Sequence, residues 1–270
     1  MRLKRRRIDF AHGPAGYLDL GPAEGLDPAA EPPAVLIHGF AGDALTWQFV
    51  LPHLARRRRV LALDLPGHGG STQDVGDGSI QGLADWLWRA LDALDVGAAH
   101  LIGHSMGGKT ALLAALAQPG RVASLTIISC AGIAPDVDVD LLRRTLGARD
   151  VASAADCLGA LFAEPPPFLD QIAKALLART AGPVSPAPLW TILERAFSGP
   201  GWWSAVDWAA LPARRLAIWG AADRLVPLPA PEHLPRADWL HVLDNVGHLP
   251  QLEAPSRVNA LLDAFLDAED

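Results

Sequence analysis

Cysteine is scarce: the 270 residues contain only Cys130 and Cys157. The pair forms no CxxC and stands near no His-rich spacing, which argues against a disulfide framework and a zinc site. Two buried thiols are expected instead. Long apolar runs are missing too. Nowhere do about 18 uncharged apolar residues follow one another, so no transmembrane helix is expected. Positive charge is in deficit, with 23 Lys and Arg against 30 Asp and Glu and a net charge of −7. An acidic chain repels phosphate backbones, so general nucleic-acid binding is not expected. The one basic cluster, Met1-Arg-Leu-Lys-Arg-Arg-Arg7, reads as a solvated, partly disordered tail. No apolar secretory stretch follows it, and a cytoplasmic protein is expected. The absence of repeats with a period of roughly 20–50 residues argues against solenoids and propellers.

What the chain does have is a hydrophobic half, 50% of its residues, enough for a large core. Short apolar runs recur at Ala34-Val-Leu-Ile37, Arg59-Val-Leu-Ala-Leu63, Ala99-His-Leu-Ile102, Leu125-Thr-Ile-Ile128, Leu216-Ala-Ile-Trp219 and Trp239-Leu-His-Val-Leu243. Such runs suit strands covered on both faces. Between them lie helical patterns. Ser79 to Leu94 sets Ile80, Leu83, Ala84, Leu87 and Leu91 on one face. Met106 to Ala117 stops before Pro119-Gly120, and Pro255 to Leu266 opens on a proline suited to a first turn. The alternation predicts an α/β fold, a mostly parallel sheet flanked by helices. Residues 133–207 break the rhythm, with helical stretches, no strand, and breaks at Pro165-Pro-Pro167 and Pro183-Val-Ser-Pro186-Ala-Pro188. They read as a helical cap inserted into a core formed by 1–132 and 208–270.

The chemistry concentrates at Gly103-His-Ser105-Met-Gly107, a G-x-S-x-G placed after a strand and before a helix. There a serine occupies a tight turn that lifts its hydroxyl above the sheet, and the glycines spare the neighbouring strand and helix a collision. A serine hydroxyl needs a base. His248 follows the last strand and precedes the final helix, at a strand's carboxyl end where a sheet-top site is reached. Asp223, in Trp219-Gly-Ala-Ala-Asp223, lies past another strand and suits the acid that orients the imidazole. Turn or capping duty is the ordinary alternative for such an aspartate. Asp136 is the fallback acid. The order Ser105, Asp223, His248 is that of nucleophile-elbow enzymes.

Together with His38-Gly-Phe-Ala-Gly42 and Asp64-Leu-Pro-Gly-His-Gly69, these motifs make the chain, from about residue 32 onward, resemble the α/β-hydrolase fold superfamily. More narrowly, Asp64 to Ser71, Asp77-Gly-Ser79, Val122-Ala-Ser-Leu-Thr126 and Gly247 to Pro255 resemble the hydrolase-like domain associated with acetoin dehydrogenase acetyltransferase components. Those components also carry a lipoyl domain, which has no counterpart in these residues. The resemblance implies an oxyanion hole from the backbone N–H groups of Phe40 and Met106, and neither metal nor organic cofactor. Resembling dehalogenases and epoxide hydrolases place Asp at the elbow; Ser105 favours an acyl-enzyme.

The expected function is therefore serine hydrolysis of an ester or related acyl bond in a small, fairly apolar substrate. C–C bond hydrolysis of a β-diketone-like compound, acyl transfer and a non-catalytic binding module are the alternatives. His38 is expected to shape the oxyanion loop by hydrogen bonding, and Asp64 and His68 to be structural. His104 either lines the site or packs, and Lys109 is expected to be exposed or snorkelling. The Trp and Leu residues of 133–207, Trp190, Trp202 and Trp203 among them, are candidates for pocket walls or for plain packing of cap on core. The sequence leaves the oligomeric state open.

Overall fold

All six apolar runs become strands of one sheet in the computed structural model, which describes every residue except 1–2, 23–26, 28–30, 181–184, 198–201, 213, 236–238 and 269–270. They are β3 (Ala34–Ile37), β4 (Val60–Leu63), β5 (Ala99–His104), β6 (Val122–Ile128), β7 (Arg215–Gly220) and β8 (Leu240–Leu243). Two further strands, β1 (Arg5–Phe10) and β2 (Gly13–Leu20), complete an eight-stranded sheet in the order β1-β2-β4-β3-β5-β6-β7-β8. β1 to β2 and β2 to β4 are antiparallel, and every other pair is parallel.

Side chains alternate across this sheet with a period of two. Val35, Ile37, Leu61, Leu63, Leu101 and Ile127 join one hydrophobic cluster, while Leu36, Ala62, Ile102, Ile128 and Ile218 join another on the opposite face. The first face is covered by α2 (Ile80–Ala93) and α3 (Met106–Ala117), the second by α1 (Leu51–Leu54) and α9 (Pro255–Leu266). Ser79 caps α2 by accepting the Gly82 N–H at 3.1 Å, the expected way to satisfy an orphan donor at a helix start.

The basic N-terminal cluster departs from expectation. Arg5–Phe10 is not a loose tail but an edge strand, paired with β2 from Arg5↔Leu18 to Phe10↔Gly13. Arg5 also reaches the buried Asp64, Nε to Oδ2, at 3.2 Å. Cationic side chains on an outer strand discourage edge-to-edge pairing with other chains. Met1 and Arg2 lie outside the described residues.

Between β6 and β7 the chain forms α4 (Val139–Gly147), α5 (Val151–Gly159), α6 (Leu169–Thr180) and α7 (Ala187–Phe197), with no strand among the described residues. Pro183 and Val184, part of the second proline-rich break, lie outside them. α5 and α6 enclose a small cluster of their own around Ala154, Leu158, Ala173 and Leu176. α4 and α7 send Leu141, Leu146, Ile192 and Leu193 into the main core. A short helix α8 (Pro250–Glu253) precedes α9. Among the described residues no helix is long and apolar enough to cross a membrane. Cys130 and Cys157 are both free and buried.

Candidate active site

β5 delivers the elbow. Its last residue, His104, is followed by Ser105 at φ 53° and ψ −120°, and α3 starts at Met106. A non-glycine residue at positive φ is strained, and such strain is kept where surrounding bonds over-determine it. Here the Ser105 N–H donates to the Ile128 carbonyl of β6 at 2.9 Å, and the Ser105 carbonyl accepts from Gly108 at 2.9 Å. Gly103 is obligatory: a Cβ there would overlap the Gly107 carbonyl group. Met106, as the first helical residue, keeps its N–H out of the intrahelical ladder.

β7 and β8 deliver the other two groups. Asp223 follows β7, in a loop closed by the Trp219 indole N–H donating to the Val226 carbonyl at 2.9 Å. Its Oδ1 accepts the N–H groups of Leu225 at 3.0 Å and Val226 at 2.8 Å, which leaves Oδ2 for His248. His248 Nδ1 donates to that Oδ2 at 2.8 Å, with both side chains buried. A carboxylate only accepts, so the bond fixes the proton on Nδ1 and leaves Nε2 as the basic atom. The two loops approach closely because residue 220 is glycine; a Cβ there would strike the carbonyls of Val246 and Gly247. Asp136, the fallback acid, is exposed.

Ser105, His248 and Phe40 line one cavity of about 140 Å³. Its walls are mostly aliphatic, with Leu142, Leu158, Ile172 and Leu176 from the insertion and Leu225 and Leu252 from the core. Arg179 at its margin is held by Asp43, Nη1 to Oδ2, at 3.4 Å. Among the described residues the large aliphatic side chains of the wall are leucine and isoleucine. Trp190, Trp202 and Trp203 are not part of them: Trp190 packs against the main core, and Trp203 stacks edge-on with His233.

The remaining polar candidates resolve individually. His104 both lines the cavity and donates from Nε2 to the His248 carbonyl at 2.7 Å. Burial, with His248 alongside, holds its pKa well below the usual imidazole range. Asp64 accepts Ala44 N–H and Gly70 N–H, each at 2.8 Å, and so braces the loops around the site. Lys109 overturns its surface expectation. It is only 4% exposed, and its Nζ donates to Ser204 Oγ at 3.1 Å. Burial lowers its pKa and pushes the nearby Cys130 thiol up to about 12, so Cys130 stays protonated. The first turn of α3 thus meets the segment around Ser204.

Glu253 is the residue that motif reading missed. Its Oε2 accepts Gly247 N–H at 2.9 Å and Ala163 N–H at 2.8 Å, while Oε1 accepts Leu249 N–H at 3.0 Å. One carboxylate thus grips the chain on both sides of His248 and ties it to the insertion. The only sequence signal is an acid five positions after the histidine, beside a proline-started helix. Among the described residues no group of three His, Cys, Asp or Glu could hold a metal ion.

Comparison with known proteins follows the same lines. The family model described as alpha/beta hydrolase fold matches residues 32–255. The dihydrolipoyllysine-residue acetyltransferase component of the acetoin cleaving system of Pseudomonas putida is 37% identical over 238 residues, 87% of this chain. The chain spans 63% of the length of that relative. The 2-hydroxymuconate semialdehyde hydrolase of Pseudomonas sp. strain CF600 is 31% identical over 266 residues, 90% of each chain. Among solved structures, the meta-cleavage product hydrolase of Pseudomonas fluorescens IP01 superposes with a TM-score of 0.80 at 25% identity, covering 98% of both chains.

Proposed function

This chain belongs to the α/β-hydrolase fold family, and from that premise we propose that it is a serine hydrolase opening an ester or related acyl bond through an acyl-enzyme on Ser105. The observation that carries the reading is the 2.8 Å bond from His248 Nδ1 to Asp223 Oδ2, with His248 and Ser105 on the wall of one cavity. Asp223 holds the imidazole in the tautomer whose Nε2 takes the serine proton. Ser105 Oγ then attacks the carbonyl carbon, and the imidazolium is stabilised by the buried carboxylate.

The negative charge on the carbonyl oxygen falls to the N–H groups of Phe40 and Met106. Losing one such donor typically costs roughly 2.7–4 kcal/mol of barrier. His248 next protonates the leaving group. Water deprotonated by the same nitrogen attacks the acyl-enzyme, releases the acid and restores Ser105. Residues 133–207 act as the cap, and their leucines give the acyl group an apolar surround. A cavity of about 140 Å³ suits a short acyl chain. The substrate is accordingly a small molecule, in a cytoplasmic protein that binds neither nucleic acid nor membrane and uses no cofactor.

A second reading is hydrolysis of a C–C bond beside a carbonyl, favoured by the 31% identity to a 2-hydroxymuconate semialdehyde hydrolase. The same three side chains serve it, with a carbanion rather than an alkoxide leaving. Acyl transfer is a third, favoured by the acetyltransferase component at 37% identity. One experiment separates them. The purified protein is labelled with a fluorophosphonate and assayed on p-nitrophenyl esters from acetate to octanoate, on a vinylogous 1,5-diketone, and with an added thiol acceptor. Labelling at Ser105, loss of turnover in Ser105→Ala and preference for short esters support the esterase. Faster diketone cleavage or acyl thiol product selects the alternatives, and an unlabelled, folded protein points to a binding module.

A further inference from the structure

Phe40, the second oxyanion donor, lies in a four-residue turn closed by Gly42 N–H donating to the Gly39 carbonyl at 3.2 Å. Ala41, at the third position, has φ +55°, whereas Phe40 is absent from the positive-φ residues. That combination is a type II turn. Type II differs from the commoner type I in the orientation of its central peptide, and its third position is normally glycine. Here the residue is alanine, so local sterics favour the other orientation. Something outside the turn must hold the peptide between Phe40 and Ala41.

Two buried histidines supply the hold. His68 Nε2 accepts the Ala41 N–H at 3.1 Å, and its Nδ1 donates to the Pro66 carbonyl at 2.9 Å. His38 Nδ1 donates to the Gly39 carbonyl at 2.7 Å, and its Nε2 accepts the Leu65 N–H at 3.0 Å. The exchange is reciprocal. The loop after β3 lends His38 to the backbone of the loop after β4, which lends His68 back. The rings stand 4.9 Å apart, and that of Phe40 meets His68 edge-on at 6.2 Å.

The consequence lies in the two peptide planes that flank Phe40. A trans peptide points its C=O and N–H in opposite directions. His38 holds the Gly39 carbonyl, and with it the direction of the Phe40 N–H. His68 holds the Ala41 N–H, and with it the plane on the other side. Each nitrogen role requires a neutral ring protonated on Nδ1. Burial keeps both rings neutral, lowering the pKa of His38 and taking that of His68 down to about 3.

We infer that His68 is a positioning residue for the oxyanion hole: by holding the Ala41 N–H it locks the turn at Gly39–Gly42 in its type II form, and so keeps in place the neighbouring Gly39–Phe40 plane whose N–H faces the developing charge. His38 fixes the preceding plane of the same turn. The inference rests on the serine-hydrolase reading, and its test keeps the two apart.

The test compares His68→Phe, which keeps a ring but loses the acceptor, with His68→Gln, which keeps an acceptor, and with His68→Phe/Ala41→Gly. All are checked for thermal unfolding and for fluorophosphonate labelling at Ser105. In His68→Phe, kcat falls by on the order of 10²-fold, KM stays within about three-fold, and the affinity for an alkylboronic acid falls in proportion to kcat. His68→Gln and the Ala41→Gly double variant recover much of both, because glycine adopts the third position of the turn unaided. A folded, labelled His68→Phe with unchanged kcat and boronate affinity overturns the inference, as does a loss that Ala41→Gly leaves untouched. Failure of wild type to label at Ser105 instead overturns the hydrolase reading. Should His68→Phe not fold, the wild-type imidazole ¹⁵N spectrum at pH 7 decides: Nδ1–H tautomers at both His38 and His68 support the clasp, and an Nε2–H tautomer at His68 refutes it.

Discussion

His104 and His248 are joined through the main chain: the Nε2–H of the residue before Ser105 donates to the His248 carbonyl at 2.7 Å, and their rings lie 4.8 Å apart. The bond links the elbow to the loop of the candidate base. Because the carbonyl can only accept, His104 carries its proton on Nε2, and its buried Nδ1 has no hydrogen-bond partner among the described residues. A neutral ring suits the proposed mechanism, in which a second cation would oppose the imidazolium formed on His248. Removing the tie in His104→Ala is expected to cost about 1–3 kcal/mol of stability, the range for a buried group losing its partner. Turnover should fall about ten-fold, with His104→Gln retaining more of both. Chemical denaturation and ester turnover on the same preparations provide the check; equal turnover in the alanine variant and wild type contradicts it.

Glu253 makes a stronger prediction. Three N–H groups converge on its two oxygens, and hydrogen bonds to a charged acceptor exceed neutral ones. Glu253→Ala leaves the N–H groups of Gly247, Leu249 and Ala163 without their acceptor. We expect a loss of about 2–4 kcal/mol together with a fall in kcat, since His248 sits between two of the released amides. Glu253→Gln keeps the shape but presents an NH₂ where an acceptor is needed, and should recover less than half of the lost stability. Urea unfolding of both variants measures this directly.

The contrast between Glu253 and Ser105 explains what the sequence made legible. Ser105, Asp223 and His248 stand in short motifs at strand ends, and the continuous β-branched runs before them mark those strands. The parallel direction of those strands then places all three at the same carboxyl edge of the sheet. Glu253, by contrast, acts on backbone amides, which have no sequence signature. The strand at Arg5–Phe10 was illegible for a related reason. Its arginines are hydrophilic because they guard an open edge, and the pairing that orders them lies in β2. Lys109 misled similarly: the partner of its buried side chain is Ser204, 95 residues away. The direction of a side chain across such a distance is tertiary information.

Asp223 tests the acid role. Both oxygens are occupied, Oδ1 by the amides of Leu225 and Val226 and Oδ2 by His248 Nδ1. In Asp223→Asn the side-chain oxygen keeps the two backbone donors, which forces the NH₂ toward Nδ1. Two donors then face each other, so the imidazole moves its proton to Nε2 and can no longer accept from serine. The expected drop in kcat is on the order of 10⁴-fold, with the fold intact by circular dichroism. Turnover within ten-fold of wild type would move the acid role elsewhere.

Acid stability isolates a histidine remote from the site. His100 is buried in β5, with Nδ1 against Ser124 Oγ at 2.8 Å and Nε2 accepting from Arg58 at 3.3 Å. Burial first, and then the nearby Arg58 and Arg214, lower its pKa to about 4. The folded form therefore stays neutral while the unfolded chain takes up a proton below roughly pH 6.5. An unfolded state that binds more protons gains on the folded one as pH falls. The His100 contribution is thus fully present above about pH 6.5 and declines by about 1.4 kcal/mol per pH unit on the way down to its folded pKa. His100→Gln, which cannot titrate, should be less stable than wild type at pH 7, yet should lose about 2 kcal/mol less between pH 7 and pH 5. Urea midpoints at those two pH values measure the difference of slopes. His38, His68 and His104 cancel from it because both proteins contain them, so parallel slopes would show that His100 takes its proton equally in both states.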